Sequence, residues 1–197
     1  MLDEYVTARP FKVPGPSSLC PAFKNEDKRR IIFIESSGQE CLTPRQACGV
    51  EAAARMNPNM EVKVYVNIDK FGPTYGDDQL IRPGRVRSCS FNSMLASRFP
   101  NIDSIRLNLT QMIVEEPRFA SLFESGKLQE SQWPVVHISD AVRLLLLEKY
   151  GGIYLDFDNI VFRPLHCLRN TFSYLDGLPI IENGVLVSPF IIHSFQL

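Results

Sequence analysis

The chain has 197 residues, 45% of them hydrophobic and 22% charged, with a formal net charge of -1. That size and composition suit one soluble globular domain, and the near-neutral charge supplies no field to draw it to nucleic acid or an anionic membrane. No apolar run approaches the roughly 18 uninterrupted residues of a membrane-spanning helix, and Met1 to Lys28 holds no apolar stretch that marks a signal peptide.

Residues 1–28 contain Pro10, Pro14, Pro16 and Pro21 and end in a charged cluster, which reads as a loosely ordered lead-in to a domain over 29–197. Ile31 to Ile34 is a buried strand that ends at Glu35-Ser36-Ser37-Gly38. Thr43 is a good N-cap, Pro44 suits the first helical position, and Gln46 completes a capping box. The helix buries Ala47, Val50 and Ala54 and stops at Asn57-Pro58; Val62 to Val66 then alternates as a strand. A loop with Gly72, Pro73, Gly76, Pro83 and Gly84 follows. Ser90 to Phe99 reads as helix, Ile102 to Leu107 as strand, and a helical stretch from Thr110 is broken by Pro117 and ends near Gly126. Strand–helix–strand at this spacing predicts an α/β fold with a largely parallel sheet, whose ligands bind beyond the carboxyl ends of strands.

Cysteines 20, 41, 48, 89 and 167 form no Cys-x-x-Cys pair, which argues against a zinc or thioredoxin-like site. Their odd number leaves a thiol unpaired unless another chain supplies a partner. Asn108-Leu109-Thr110 is a glycosylation sequon that tilts the compartment slightly toward secretory.

The informative stretch is Ser139 to Val161, SDAVRLLLLEKYGGIYLDFDNIV. Ser139 is a candidate helix cap, and Asp140 and Arg143 share one helical face. Tyr150-Gly151-Gly152 stops the helix. Ile153-Tyr154-Leu155 is a short buried strand that delivers Asp156 and Asp158 to the ligand edge of the sheet. If the backbone stays extended, the two carboxylates point the same way. They then suit a hard divalent cation, Mn²⁺ as well as Mg²⁺. Asp-x-Asp alone is a weak signal whose plain reading is a solvated loop; the helix, double glycine and strand before it give it weight. The plain readings of the rest are an Asp140–Arg143 salt bridge near a helix N-terminus, a packed Trp133, and loop positions for Glu182 and Asn183. His137, His166 and His193 carry no assignment.

These residues resemble the donor-site signature of the α1,4-glycosyltransferases, which carry a sugar-binding region with a DXD motif; a related signature occurs in clostridial glucosylating toxins and yeast mannosyltransferases. The likeness extends to Ile31 through Ser37, to Cys48 through Arg55 with Asn57-Pro58, and to Ile181-Glu182-Asn183-Gly184-Val185. The resemblance implies the GT-A type of nucleotide-binding α/β fold and a retaining transfer of hexose or N-acetylhexosamine from a UDP-sugar to a glycosphingolipid or glycan. In it, Asp158 ligates Mn²⁺, and Asp156 meets ribose and sugar hydroxyls or reaches the metal through water. Asp140, Arg143, Asn183 and Gly184 hold the donor sugar. Phe33, Ile34, Glu35, Ser36 and Tyr154 border the nucleotide. No residue declares itself a nucleophile or base. The resemblance also implies a membrane-anchored protein on the lumenal side of the Golgi, and an acceptor-binding part that this chain lacks at its C-terminus.

Two rival readings stand beside it. One is a truncated, non-catalytic nucleotide-sugar-binding fragment. The other is a haloacid dehalogenase-type phosphatase, whose nucleophile motif Leu155-Asp156-Phe157-Asp158-Asn159 resembles. That motif wants Thr or Val where Ile160 stands, lies near the start of its domain, and needs a later lysine and acidic pair.

Overall fold

A computed structural model describes residues 29–39, 41–67, 90–107, 112, 115–168, 171–174 and 181–188, without the side chains of residues 118, 174 and 181–183. The lead-in over 1–28, the glycine- and proline-rich loop, the sequon, the helix start at Thr110 and the end of the chain lie outside the described residues, as does the side chain of Asn183.

Strand β1 (Arg30–Glu35) leads to helix α1 (Pro44–Met56) and strand β2 (Glu61–Asn67), then helix α2 (Ser90–Arg98) and strand β3 (Ile102–Leu107). Helix α3 (Pro117–Glu124) and helix α4 (Pro134–Tyr150) precede strands β4 (Gly152–Leu155), β5 (Thr171–Tyr174) and β6 (Ile181–Ser188). The six strands form one sheet in the order β3-β2-β1-β4-β6-β5. β3, β2, β1 and β4 are parallel, whereas β6 runs antiparallel to both β4 and β5. The sheet is thus mostly parallel, as expected from the sequence, with β6 the reversed strand, and the segment around Glu182 and Asn183 is strand rather than loop.

Side chains alternate across the sheet and build two cores. On one face Ile31, Phe33, Val62, Val64, Ile153 and Leu155 meet Ala47, Val50, Ala53 and Ala54 of α1 and Leu95 of α2. On the other, Ile32, Ile34, Tyr65 and Tyr154 meet Phe123 of α3 and Ile138, Val142, Leu145 and Leu146 of α4. Each fully buried aliphatic or aromatic side chain contributes roughly 1.5–3 kcal/mol, so the sheet is fixed from both sides.

β1 sits at the reversal of strand order: the chain steps from it to β2 and β3 on one side, then returns to β4 on the other. A crevice opens beyond the carboxyl ends at such a switch point. Here those ends are Glu35 and Leu155.

The junction between α4 and β4 rests on two glycines. Gly151 caps α4 at φ 62°, its N–H donating to the Leu147 carbonyl at 2.9 Å, and Gly152 follows at φ 119°. A Cβ on Gly152 would lie 2.6 Å from the Arg30 carbonyl oxygen. Gly152→Ala is therefore expected to lower stability by roughly 1–3 kcal/mol, read as a shifted urea midpoint; an unchanged midpoint contradicts this tight turn.

Candidate active site

The cleft at the switch point has a volume of about 400 Å³ and is lined by Ile34, Glu35, Ser36, Ser37, Gln39, Thr43, Arg45, Gln46, Asp156, Phe157 and Asp158. Its walls are the end of β1, the start of α1 and the turn that follows β4. The strand does not stay extended through the two aspartates. It ends at Leu155, and Asp156 to Asn159 make a turn closed by the Asn159 N–H donating to the Asp156 carbonyl at 3.0 Å. The expectation that two-residue spacing on an extended strand aligns the carboxylates is thus corrected, although both carboxylates still line the one cleft.

The turn is held from three sides. The Asp156 N–H donates to the Gly184 carbonyl of β6 at 2.9 Å, and Asn159 Nδ2 donates to that same carbonyl at 3.1 Å. Gly49 of α1 leaves room for the Phe157 carbonyl, which would lie 2.8 Å from a Cβ there. Phe157 stacks on buried Phe33, ring centroids 5.3 Å apart.

The two aspartates differ in surroundings. Asp156 accepts a hydrogen bond from the Tyr154 hydroxyl and lies 3.6 Å from Arg143 Nη1. Arg143 is 5% exposed, pairs with Asp140 at 3.0 Å, donates to the Ser139 hydroxyl at 3.3 Å, and lies 4.5 Å over the Tyr154 ring. Burial pushes the Tyr154 phenol well above its ordinary pKa, an effect that Arg143 opposes and Asp156 reinforces. It therefore stays a protonated donor across the neutral range. Asp158 is exposed and makes no hydrogen bond or ion pair among the described residues.

At the other wall, Glu35 is 4% exposed, and its carboxylate is taken up inside the fold. One oxygen accepts from the Ser37 N–H at 2.8 Å and from the Ser37 hydroxyl; the other accepts from Gln46 Nε2. Gln46 Oε1 also accepts from the Thr43 N–H, and the Thr43 hydroxyl accepts from the Gln46 N–H, so the expected capping box is present. A chain of side chains thus fastens the end of β1 to the start of α1.

Several sequence expectations change. Ser139 does not cap α4, because Pro134, with its preset φ and no N–H to satisfy, starts the helix one and a half turns earlier, after Trp133. Asp140 therefore lies in the second turn, where the helix-dipole reading loses force, while its pairing with Arg143 stands. Phe33, expected beside the nucleotide, is fully buried and reaches the cleft only through Phe157. Tyr154, also expected there, is 2% exposed and acts behind Asp156. Asp140 and Arg143 back Asp156 rather than line the cleft, and Trp133 is 60% exposed rather than packed. Ile34, Glu35, Ser36, Asp156 and Asp158 do converge. Sequence reading missed Arg45, Phe157 and Asn159; the rule that ligands sit at strand ends and the following helix starts could have found Arg45.

Residues 43–174 match the family described as the glycosyltransferase sugar-binding region containing a DXD motif. The chain belongs to that family. Lactosylceramide 4-alpha-galactosyltransferase of Homo sapiens is 31% identical over 168 residues, 83% of this chain and 44% of that protein. The Gorilla gorilla gorilla protein of the same name is 33% identical over 162 residues, 81% of this chain and 44% of its own length. Alpha-1,4-N-acetylglucosaminyltransferase of Homo sapiens is 29% identical over 154 residues, 74% and 42% respectively. The chain thus spans less than half the length of these relatives. A solved PaToxG glycosyltransferase superposes with a TM-score of 0.51 at 18% identity, covering 81% of this chain and 53% of that one. The architecture is accordingly the GT-A-like α/β fold, and the phosphatase alternative loses its footing.

The bracket between Glu35 and Gln46 has a direct test. Gln46→Ala leaves a buried carboxylate oxygen without its donor and is expected to cost roughly 1–3 kcal/mol, read in urea unfolding. An unaltered midpoint would show that the bracket carries no load.

Proposed function

We propose that the cleft binds the nucleotide part of a UDP-sugar with a divalent cation, and that the chain serves in hexosyl or N-acetylhexosaminyl transfer to a glycan or glycolipid. The observation that carries this reading is the pairing of one committed carboxylate, Asp156, with one open carboxylate, Asp158, in a single cleft at the switch point of a DXD-family glycosyltransferase fold.

The charge on the cleft walls supports a cation. Glu35, Asp156 and Asp158 line it against one guanidinium, that of Arg45, so a diphosphate entering alone meets net repulsion. Hard divalent ions take oxygen ligands of this kind and leave positions for phosphate oxygens and water. Asp158, exposed and without a competing partner among the described residues, would hold it; Mn²⁺ and Mg²⁺ both suit the donor set. When bound, the ion supplies Lewis-acid stabilisation of the charge that develops on a departing diphosphate.

The protein's own groups supply binding and orientation. Asp156, its Oδ1 held by Tyr154 and Arg143, is oriented to accept hydrogen bonds from ribose or sugar hydroxyls. Gly184 leaves open the space beside Asp156 Oδ2, which would lie 3.0 Å from a Cβ there. Asn183 completes the proposed sugar side, and Asp140 and Arg143 serve it from behind by fixing Asp156. Ile34 and Ser36 border the nucleotide, with Glu35 fixing the loop that carries Ser36. The Golgi lumen is the proposed setting, drawn from the resemblance to α1,4-glycosyltransferases; among the described residues no helix is long and apolar enough to cross a membrane.

Isothermal titration with UDP and a panel of UDP-sugars tests the assignment. Chelating the divalent ion, or substituting Asp158→Ala, is expected to weaken UDP binding about tenfold or more, equivalent to about 1.4 kcal/mol. Equal UDP affinity in the Asp158→Ala variant, with and without Mn²⁺, would sink the metal assignment. Hydrolysis of the bound UDP-sugar, followed separately, distinguishes turnover from binding without turnover.

A further inference from the structure

Arg45 is the cleft's one basic lining residue, and the local structure gives it no partner. It is the second residue of α1, after Pro44. Its neighbours one turn further along the helix are Cys48 and Gly49, neither of them a carboxylate, so no ion pair along the helix is available. Among the described residues it forms no ion pair elsewhere. Thr43 and Gln46 on either side are engaged in the capping box and in holding Glu35. An exposed guanidinium therefore stands on a braced helix start.

Its direction follows from Gly49. Arg45 and Gly49 are four apart and share a helix face, and Gly49 is where α1 presses on the Phe157 carbonyl of the turn between Asp156 and Asp158. Arg45 accordingly belongs to the face that meets that turn, and it lines the same cleft as both aspartates. The N-terminal end of α1 adds its partial positive charge in the same direction.

We propose that Arg45 binds the phosphate groups of the nucleotide, with the open carboxylate of Asp158 across the cleft; this rests on the nucleotide-sugar reading above. Charge balance favours it. A divalent ion beside the Asp158 carboxylate carries less net positive charge than a diphosphate carries negative, so part of the diphosphate's charge is left without compensation. A guanidinium supplies that compensation and two parallel donors that fit phosphate oxygens. Contact with the base or ribose would leave the charge unanswered.

Titration of uridine, UMP and UDP in the presence of Mn²⁺, with wild-type protein, Arg45→Ala and Arg45→Lys, separates the possibilities. Arg45→Ala is expected to weaken UDP about tenfold, to leave uridine unchanged, and to keep the wild-type unfolding midpoint, because the side chain is exposed. Arg45→Lys is expected to fall between, and the loss is expected to shrink as salt is raised. Unchanged UDP affinity in Arg45→Ala, or an equal loss for uridine and UDP, would overturn the assignment alone. Wild-type protein that binds none of the three would overturn the donor-site reading and this assignment with it.

Discussion

The buried guanidinium of Arg143 is the interaction around which the site is arranged. It reaches Asp140 and Ser139 on its own helix, lies over the Tyr154 ring on β4, and extends to Asp156 beyond that strand. A charge at 5% exposure is costly without partners. The two carboxylates and the aromatic face meet that need, and in doing so they fix where α4 and β4 end relative to each other. The double glycine between them makes the tight return possible. The sheet's switch point then sets the resulting turn opposite the end of β1.

This arrangement separates the two aspartates by environment rather than by position. Asp156 is held by a phenol that stays protonated and by a cation, so its free lone pairs suit neutral hydroxyl donors. Asp158, on the far side of the same turn, has no such partner among the described residues and suits a hard cation. The opposite wall is braced just as firmly: Glu35 spends its carboxylate on Ser37 and Gln46. A negative group of the cleft lining therefore also braces the backbone around it. The same bracing leaves Arg45 as the basic group of the cleft lining that has no structural duty.

Much of this was legible in the sequence, and the particulars show why. Capping box, proline and glycine stops are local signals, and they located α1 and the α4–β4 junction. The apolar runs at Ile31 to Ile34 and Val62 to Val66 marked the central strands. One local signal was missed: Pro134 starts the helix ahead of the better capping chemistry of Ser139. The antiparallel pairing of β6 with β4 is non-local and has no signature in either segment alone. Phe33 and Tyr154 were expected at the nucleotide from the family resemblance, but helices cover both faces of the sheet and bury the two rings on opposite sides of it. Arg45 was passed over because its helix start was read for capping rather than for the cleft it faces.

The central claim is that the turn from Asp156 to Asn159 holds a cation and a nucleotide at the switch point. Anomalous X-ray diffraction from crystals of the protein grown with Mn²⁺ and UDP tests it most directly. A manganese peak on the Asp158 carboxylate, with the diphosphate between that ion and Arg45, is the result predicted. Nucleotide bound outside the cleft, or manganese bound away from Asp158, would contradict it.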